Sequence, residues 1–90
     1  MKRYRCIISG KVQGVWYRKF VTDAARSAGF RGYIRNLPDG SVETVVDTPE
    51  NELETFKEIL KKGSPLSYVK EISCEEIPLD APFHDFGVIR

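Results

Sequence analysis

The sequence predicts a two-layer α/β (α+β) fold, and three observations predict it. Two segments, residues 17–28 and 48–62, carry apolar residues at helical spacing. Strand-like runs stand on both sides of each segment. Between the second and third of these runs lies Pro38-Asp39-Gly40. In such a turn proline presets one backbone angle, aspartate bonds its own backbone and glycine takes a positive φ. The order is βαββαβ plus a terminal strand. Two amphipathic helices in that order bury their apolar sides by covering one face of the sheet. The expectation is a ferredoxin-like sandwich with a mostly antiparallel five-stranded sheet and two helices on one face. Ninety residues are expected to form one domain with a modest core.

Residues 3–9 read as the first strand, with Tyr4, Cys6 and Ile8 on one face. Residues 17–28 read as the first helix. Its expected buried stripe is Tyr17, Phe20, Val21, Ala24, Ala25 and Ala28, with Arg18, Lys19, Thr22, Asp23 and Arg26 facing away. Gly29 suits the C-terminal cap. Residues 30–37 and 41–47 read as the second and third strands, a hairpin across the Pro38-Asp39-Gly40 turn. Thr48 is expected to cap the second helix, with Pro49 at its first position and Glu50, Glu52 and Glu54 complementing its dipole. Leu53, Phe56, Ile59 and Leu60 supply its buried side, Lys61 and Lys62 close it, and Gly63-Ser64-Pro65 stops it. Residues 68–77 read as the fourth strand. Alternation breaks between Val69 and Ile72, which predicts a bulge or a late start. Residues 78–83 hold Pro78 and Pro82 and read as a loop, and residues 84–90 as a short last strand.

Hydrophobic residues are 41% and charged residues 30%, an ordinary soluble composition. No apolar run approaches the ~20 residues of a membrane span, and the basic start lacks the apolar region of a signal peptide. A cytoplasmic protein without a membrane partner is expected. The net charge of +1 conceals an asymmetry: residues 1–35 hold nine Lys/Arg and one acid, residues 36–90 five Lys/Arg and twelve acids. If folding keeps these parts separate, the basic part suits a small anion; if folding mixes them, no patch survives. Cys6 and Cys74 are too few for a zinc site. They are expected to be separate buried thiols in a reducing cytosol, with a disulfide as the alternative if their strands are neighbours.

The stretch Gly10-Lys11-Val12-Gln13-Gly14-Val15-Trp16-Tyr17-Arg18 leaves the first strand, turns on two glycines and enters the first helix. A loop of this kind presents unpaired backbone N–H groups, and the helix dipole adds positive charge. Glycine at Gly10 and Gly14 permits backbone angles that a side chain forbids. Arg18 falls in the first helical turn, where its fork of donors can curl back over the loop. The pattern is neither a Walker loop nor a dinucleotide fingerprint. It predicts a small phosphate pocket with one arginine clamp; an unliganded connection is the competing reading. Asn36 ends the second strand, which borders the third in this arrangement. Its amide can hold a water there, or simply shape the turn. His84, the only histidine, lies far along the chain, neither cysteine has a basic neighbour held on a helix start, and no pair of acids accompanies the loop. Chemistry without a metal, a nucleophile or a strong base is confined to an already labile bond, with the protein positioning it and neutralising charge. A mixed carboxylic–phosphoric anhydride fits those limits.

The run GKVQGVWYR, followed by Gly32-Tyr33-Ile34-Arg35-Asn36 and Pro38-Asp39-Gly40, resembles the acylphosphatases, and the likeness covers nearly the whole chain. The resemblance implies a single acylphosphatase-like domain over residues 1–90 with a five-stranded antiparallel sheet and two helices. It implies metal-independent hydrolysis of an acyl phosphate to a carboxylate and inorganic phosphate. In that family picture Arg18 grips the phosphate together with the backbone N–H groups of Val12, Gln13, Gly14, Val15 and Trp16, and Asn36 orients the attacking water. No metal and no cofactor are expected. The expected partners are an acyl phosphate and, as product and inhibitor, inorganic phosphate, with no nucleic acid and a monomeric chain. Trp16-Tyr17 and Tyr33 depart from residues frequent in the family, which bears on acyl-chain preference and leaves Arg18 and Asn36 untouched.

Two other functions share parts of this pattern. RNA-recognition modules have the same element order, but they stack bases on strand aromatics. The third strand here, residues 41–47, has no aromatic and two acids. The other is a regulatory or structural domain that binds an anion but turns nothing over.

Overall fold

The computed structural model describes residues 1–90. Its elements are β1 (Lys2–Lys11), α1 (Tyr17–Ser27), β2 (Arg31–Asn36), β3 (Val42–Thr48), a 3-10 turn (Glu50–Glu52), α2 (Leu53–Lys62), β4 (Tyr68–Ile77) and β5 (Phe86–Val88). The sheet order is β4-β1-β3-β2-β5. The first four strands pair antiparallel, and β5 runs parallel to β2, from Gly32↔Phe86 to Ile34↔Val88. The sandwich is therefore the expected ferredoxin-like one, but its sheet is mixed. Residues 78–85 carry the chain from one edge of the sheet to the other, and β5 returns antiparallel to β4, which makes it parallel to its neighbour. Neither helix is long and apolar enough to cross a membrane.

Tyr4, Cys6 and Ile8 of β1, Ile34 of β2, and Val42 and Val46 of β3 join Val21, Ala25, Phe56, Leu60 and Phe86 in one buried cluster. Phe56 sits at its centre, edge-on to Phe30 at 5.2 Å and 5.9 Å from Phe86. The α1 stripe is rotated from the expected one. Phe20, Ala24 and Ala28 are exposed, whereas Thr22 is buried, with its hydroxyl oxygen unpartnered. Counting apolar residues favours Phe20, but the position of Tyr17 under α2 sets the rotation, because its hydroxyl donates to the Leu60 carbonyl at 2.7 Å. At the helix end Phe30 N–H donates to the Ala25 carbonyl and Gly29 N–H to that of Arg26. This is the paired closure expected of a glycine following a helix.

Thr48 does not cap α2. It is the last residue of β3, paired with Lys2, and its hydroxyl donates to the Pro49 carbonyl at 3.3 Å. The β-branched residue extends the strand, and the 3-10 turn takes up the change of direction before α2. The cysteine expectation is also corrected. Cys6 and Cys74 are direct partners across β1 and β4, with Cα atoms 4.0 Å apart, and form a disulfide. Pairing register brought the sulfurs together, which spacing in sequence does not reveal.

The sheet face away from the helices carries a charged layer. Arg3 makes two hydrogen bonds to the Asp47 carboxylate, at 2.6 and 2.8 Å, and lies 4.3 Å from the Phe83 ring centre. Glu43, 2% exposed, accepts from Arg5 at 2.6 Å and from Arg35 at 2.7 Å. Burial pushes the Glu43 carboxyl up, but these two guanidinium bonds outweigh burial and hold it below its ordinary value.

A carboxylate depressed in this way stabilises the fold above the ordinary carboxylate range, and that contribution is lost as pH falls through the lower folded value. Both arginines are more than a third exposed, so solvent screening reduces the effect. Glu43→Gln is expected to cost about 1–2 kcal/mol in urea unfolding at neutral pH and much less at a pH near 3; an equal loss at both would contradict it. The disulfide spans a sequence separation of 68, so reduction is expected to lower stability by about 2–4 kcal/mol. An unchanged urea midpoint in the presence of reductant would contradict that expectation.

Candidate active site

The turn out of β1 begins at Gly10, whose φ is +126°. A Cβ there would lie 2.2 Å from the Tyr68 carbonyl oxygen and 2.8 Å from the Lys70 nitrogen. Any other residue would push β4 away from β1. The pairing register shifts at this point, between Ser9 and Gly10, which is the irregularity that the broken alternation near Val69 predicts. Beyond Lys11 the chain leaves the sheet and turns through Gly14, φ +71°, and Trp16, φ +67°. Trp16 is the one non-glycine residue with positive φ, a conformation that costs a bulky residue about 1–2 kcal/mol.

Every backbone N–H from Val12 to Trp16 lacks an acceptor within the chain. The first helical bond runs from Phe20 N–H to the Trp16 carbonyl, 3.1 Å, so the amides of Tyr17, Arg18 and Lys19 also lack helical acceptors. No side chain caps α1 and no acid stands in its first turn. The positive end of its dipole is thus uncompensated.

Three side chains hold this loop by its flanks. Gln13 Nε2 donates to the Leu37 and Ser41 carbonyls, both at 2.8 Å. Ser64 Oγ donates to the Val15 carbonyl at 2.6 Å. Tyr17, bonded to Leu60, is pushed above the ordinary phenol range by burial and so stays a neutral donor. Each anchor takes a carbonyl or lies at the side, and the amides remain free. Sequence reasoning missed Ser64 and the side-chain role of Gln13. Gly63-Ser64-Pro65 signalled only a helix stop, and nothing local marks the partners of Gln13.

Arg18 is partly exposed and borders a cavity of about 460 Å³ whose wall also includes Val12, Gly14, Trp16 and Val88. Arg3, Arg5 and Arg35 spend their guanidinium groups on Asp47 and Glu43. The Arg18 guanidinium has no ion pair or hydrogen-bond acceptor in the chain. Of the residues expected at the phosphate site, Val12, Gly14, Trp16 and Arg18 therefore meet on one cavity. Gln13 and Val15 lie in the same loop but outside the cavity wall, with the Gln13 side chain turned to the hairpin and Val15 buried.

Asn36 also lies outside that wall. It ends β2 in register with Val42, which in turn pairs with Ile8, and the next carbonyl, that of Leu37, is the one that Gln13 binds. The end of β2 is thereby tied to the loop. The Asn36 Oδ1 is buried without a donor, an uncommon state for a buried amide oxygen. His84 is exposed in the segment before β5. No group of three or more His, Cys, Asp or Glu is placed to share a metal ion.

The arrangement has known relatives. The acylphosphatase family model matches residues 4–88. The chain is 39% identical over 88 residues to an acylphosphatase of Bacillus pumilus, covering 98% of each. The crystal structure of acylphosphatase from Bacillus subtilis matches it with a TM-score of 0.92 at 40% identity, covering 100% of both chains. The crystal structure of HypF from T. kodakarensis matches at a TM-score of 0.86 and 36% identity, covering all of this chain and 12% of that one. Sequence over nearly its whole length and fold together place the chain in the acylphosphatase family.

Proposed function

We propose that the protein hydrolyses acyl phosphates to a carboxylate and inorganic phosphate, without a metal or cofactor, and that residues 1–90 act as one unit, as a monomer. One observation carries the reading: of the acceptor-free amides from Val12 to Trp16, those of Val12, Gly14 and Trp16 belong to residues that line one cavity with Arg18, whose guanidinium has no partner in the chain. Both are donor groups that an anion can use, and neither is used within the fold. The match to HypF over 12% of that chain shows the same fold as one part of a longer protein; the second reading is therefore a domain that binds an anion without turning anything over.

In the hydrolase reading the amides of Val12, Gln13, Gly14, Val15 and Trp16 hold the non-bridging phosphate oxygens. Arg18 supplies the fork that neutralises charge as the P–O bond to the acyl group loosens. The Asn36 Oδ1 accepts a hydrogen bond from water and aims its lone pair at phosphorus. Water oxygen bonds to phosphorus, the bridging oxygen leaves with the bond pair as a carboxylate, and a phosphate oxygen takes the proton from water. A carboxylate is a stable leaving group, so positioning and charge neutralisation suffice. The disulfide weighs against the cytoplasmic placement expected from the sequence, because such bonds are rare in a reducing cytosol outside hyperthermophiles.

Benzoyl phosphate hydrolysis, with and without a chelator, tests the proposal. Turnover indifferent to the chelator supports it, whereas phosphate binding without turnover favours the domain reading. Arg18→Gln is expected to raise the activation free energy by about 3–5 kcal/mol, roughly two to four decades in rate. Arg18→Lys should restore little, since a point charge does not replace the fork. Near-normal turnover in either variant removes Arg18 from the site. Asn36→Ala is expected to lower kcat much more than it weakens inhibition by phosphate, because water is placed only for the attack. Equal weakening of both would make Asn36 a phosphate ligand instead.

A further inference from the structure

We infer that Trp16 and Val88 form a shelf for the acyl group, which makes aromatic or extended apolar acyl phosphates the preferred substrates over acetyl phosphate. The inference rests on the hydrolase reading and adds a specificity to it. Three independent features point to the shelf. The cavity of about 460 Å³ lies in the range of pockets for small organic ligands, roughly 300–1,000 Å³, whereas a phosphate group has only five heavy atoms. Its wall combines Val12, Gly14 and Arg18 of the proposed phosphate site with Trp16 and Val88. No carboxylate lines it, and its one lysine, Lys19, pairs with Asp23 at 3.0 Å, so the space beyond the phosphate is apolar in character.

The second feature is the backbone of Trp16. It holds φ +67° and ψ +15°, where glycine would sit without strain. The indole contributes nothing to the core that would offset this strain: it is 68% exposed and its N–H donates to no acceptor. Strain retained at an exposed aromatic beside a binding loop is the pattern of a residue kept for what it contacts outside the fold. The third feature is the rim. Phe20, Val88 and Ile89 are also exposed apolar residues. Phe20 is joined to Trp16 through the first helical bond, and Ile89 is held by its N–H to the Ile34 carbonyl. Exposed apolar residues thus adjoin the two wall residues, Phe20 through its bond to Trp16 and Ile89 as the chain neighbour of Val88.

An indole face stacks an aromatic acyl group and covers an alkyl one, while acetyl is too short to profit. The test compares kcat/KM for benzoyl phosphate and acetyl phosphate in the unmodified protein, Trp16→Gly and Val88→Ser. Glycine relieves the positive φ, so Trp16→Gly is expected to fold and to melt no lower than the parent. The ratio of the two substrates cancels any effect on the shared phosphate contacts. It is expected to favour benzoyl phosphate in the unmodified protein and to fall roughly tenfold in Trp16→Gly and by a smaller factor in Val88→Ser. A ratio that stays within about twofold of the parent in Trp16→Gly overturns the shelf and leaves the hydrolase reading standing. Failure of the unmodified protein to turn over either compound overturns both. Because Trp16 is the only tryptophan, its fluorescence gives a second readout. Benzylphosphonate is expected to shift the emission beyond the change that inorganic phosphate produces; identical responses would overturn the shelf.

Discussion

The fold is arranged around a set of backbone donors that it keeps from pairing. A chain normally gives nearly every backbone N–H an acceptor, because leaving one unmade is costly. Here five consecutive amides, from Val12 to Trp16, are left without one. That state persists because the loop is fastened from other directions: by the close packing of Gly10 on β4, by Gln13 on the hairpin carbonyls and by Ser64 on the Val15 carbonyl. Each fastening either consumes a carbonyl or excludes a side chain. None consumes one of the five donors. Two helices over a five-stranded sheet supply the rigid points to which such fastenings attach.

Charge is distributed to the same end. The basic residues concentrated in the first third of the sequence do not remain a patch. Arg3 goes to Asp47, and Arg5 and Arg35 go to Glu43, so folding mixes the two halves across β1, β2 and β3. Arg18 stays out of this exchange because the charged layer occupies the face of the sheet opposite the helices, and Arg18 sits on α1. Net charge by segment therefore says little about the site. The informative quantity is which unpartnered cation borders the cavity beside the loop.

Much of the architecture was legible where a residue's structural preference is local. β4 occupies the residues that alternation and its break assigned to it, and the Pro38-Asp39-Gly40 turn closes with Asp39 accepting from Ser41 N–H at 3.0 Å. The loop could be located because two glycines, an arginine and a strand-to-helix change are close neighbours in sequence. What was illegible depended on pairing at a distance. The direction of β5 follows from where residues 78–85 cross the sheet. The Cys6–Cys74 bond follows from register, and an argument from compartment pointed the other way. Thr48 carries both strand and cap preferences, and its pairing with Lys2 decided between them. The rotation of α1 has the same origin: apolar spacing favours Phe20 as core, whereas the Tyr17–Leu60 contact determines which side of the helix faces inward.

The Ser64–Val15 bond has a consequence for the order of events as the chain collapses. Its partners are 49 residues apart, and those of the Gln13–Leu37 bond 24 apart. The loop therefore gains its shape only after the hairpin has formed and α2 has docked. A chain in which those elements have not docked lacks these two fastenings, so an anion that fits the fastened loop binds the completed molecule in preference. By mass action such an anion draws the folding equilibrium toward the native state, so under the proposed function inorganic phosphate would be a selective brace for chains that have finished folding.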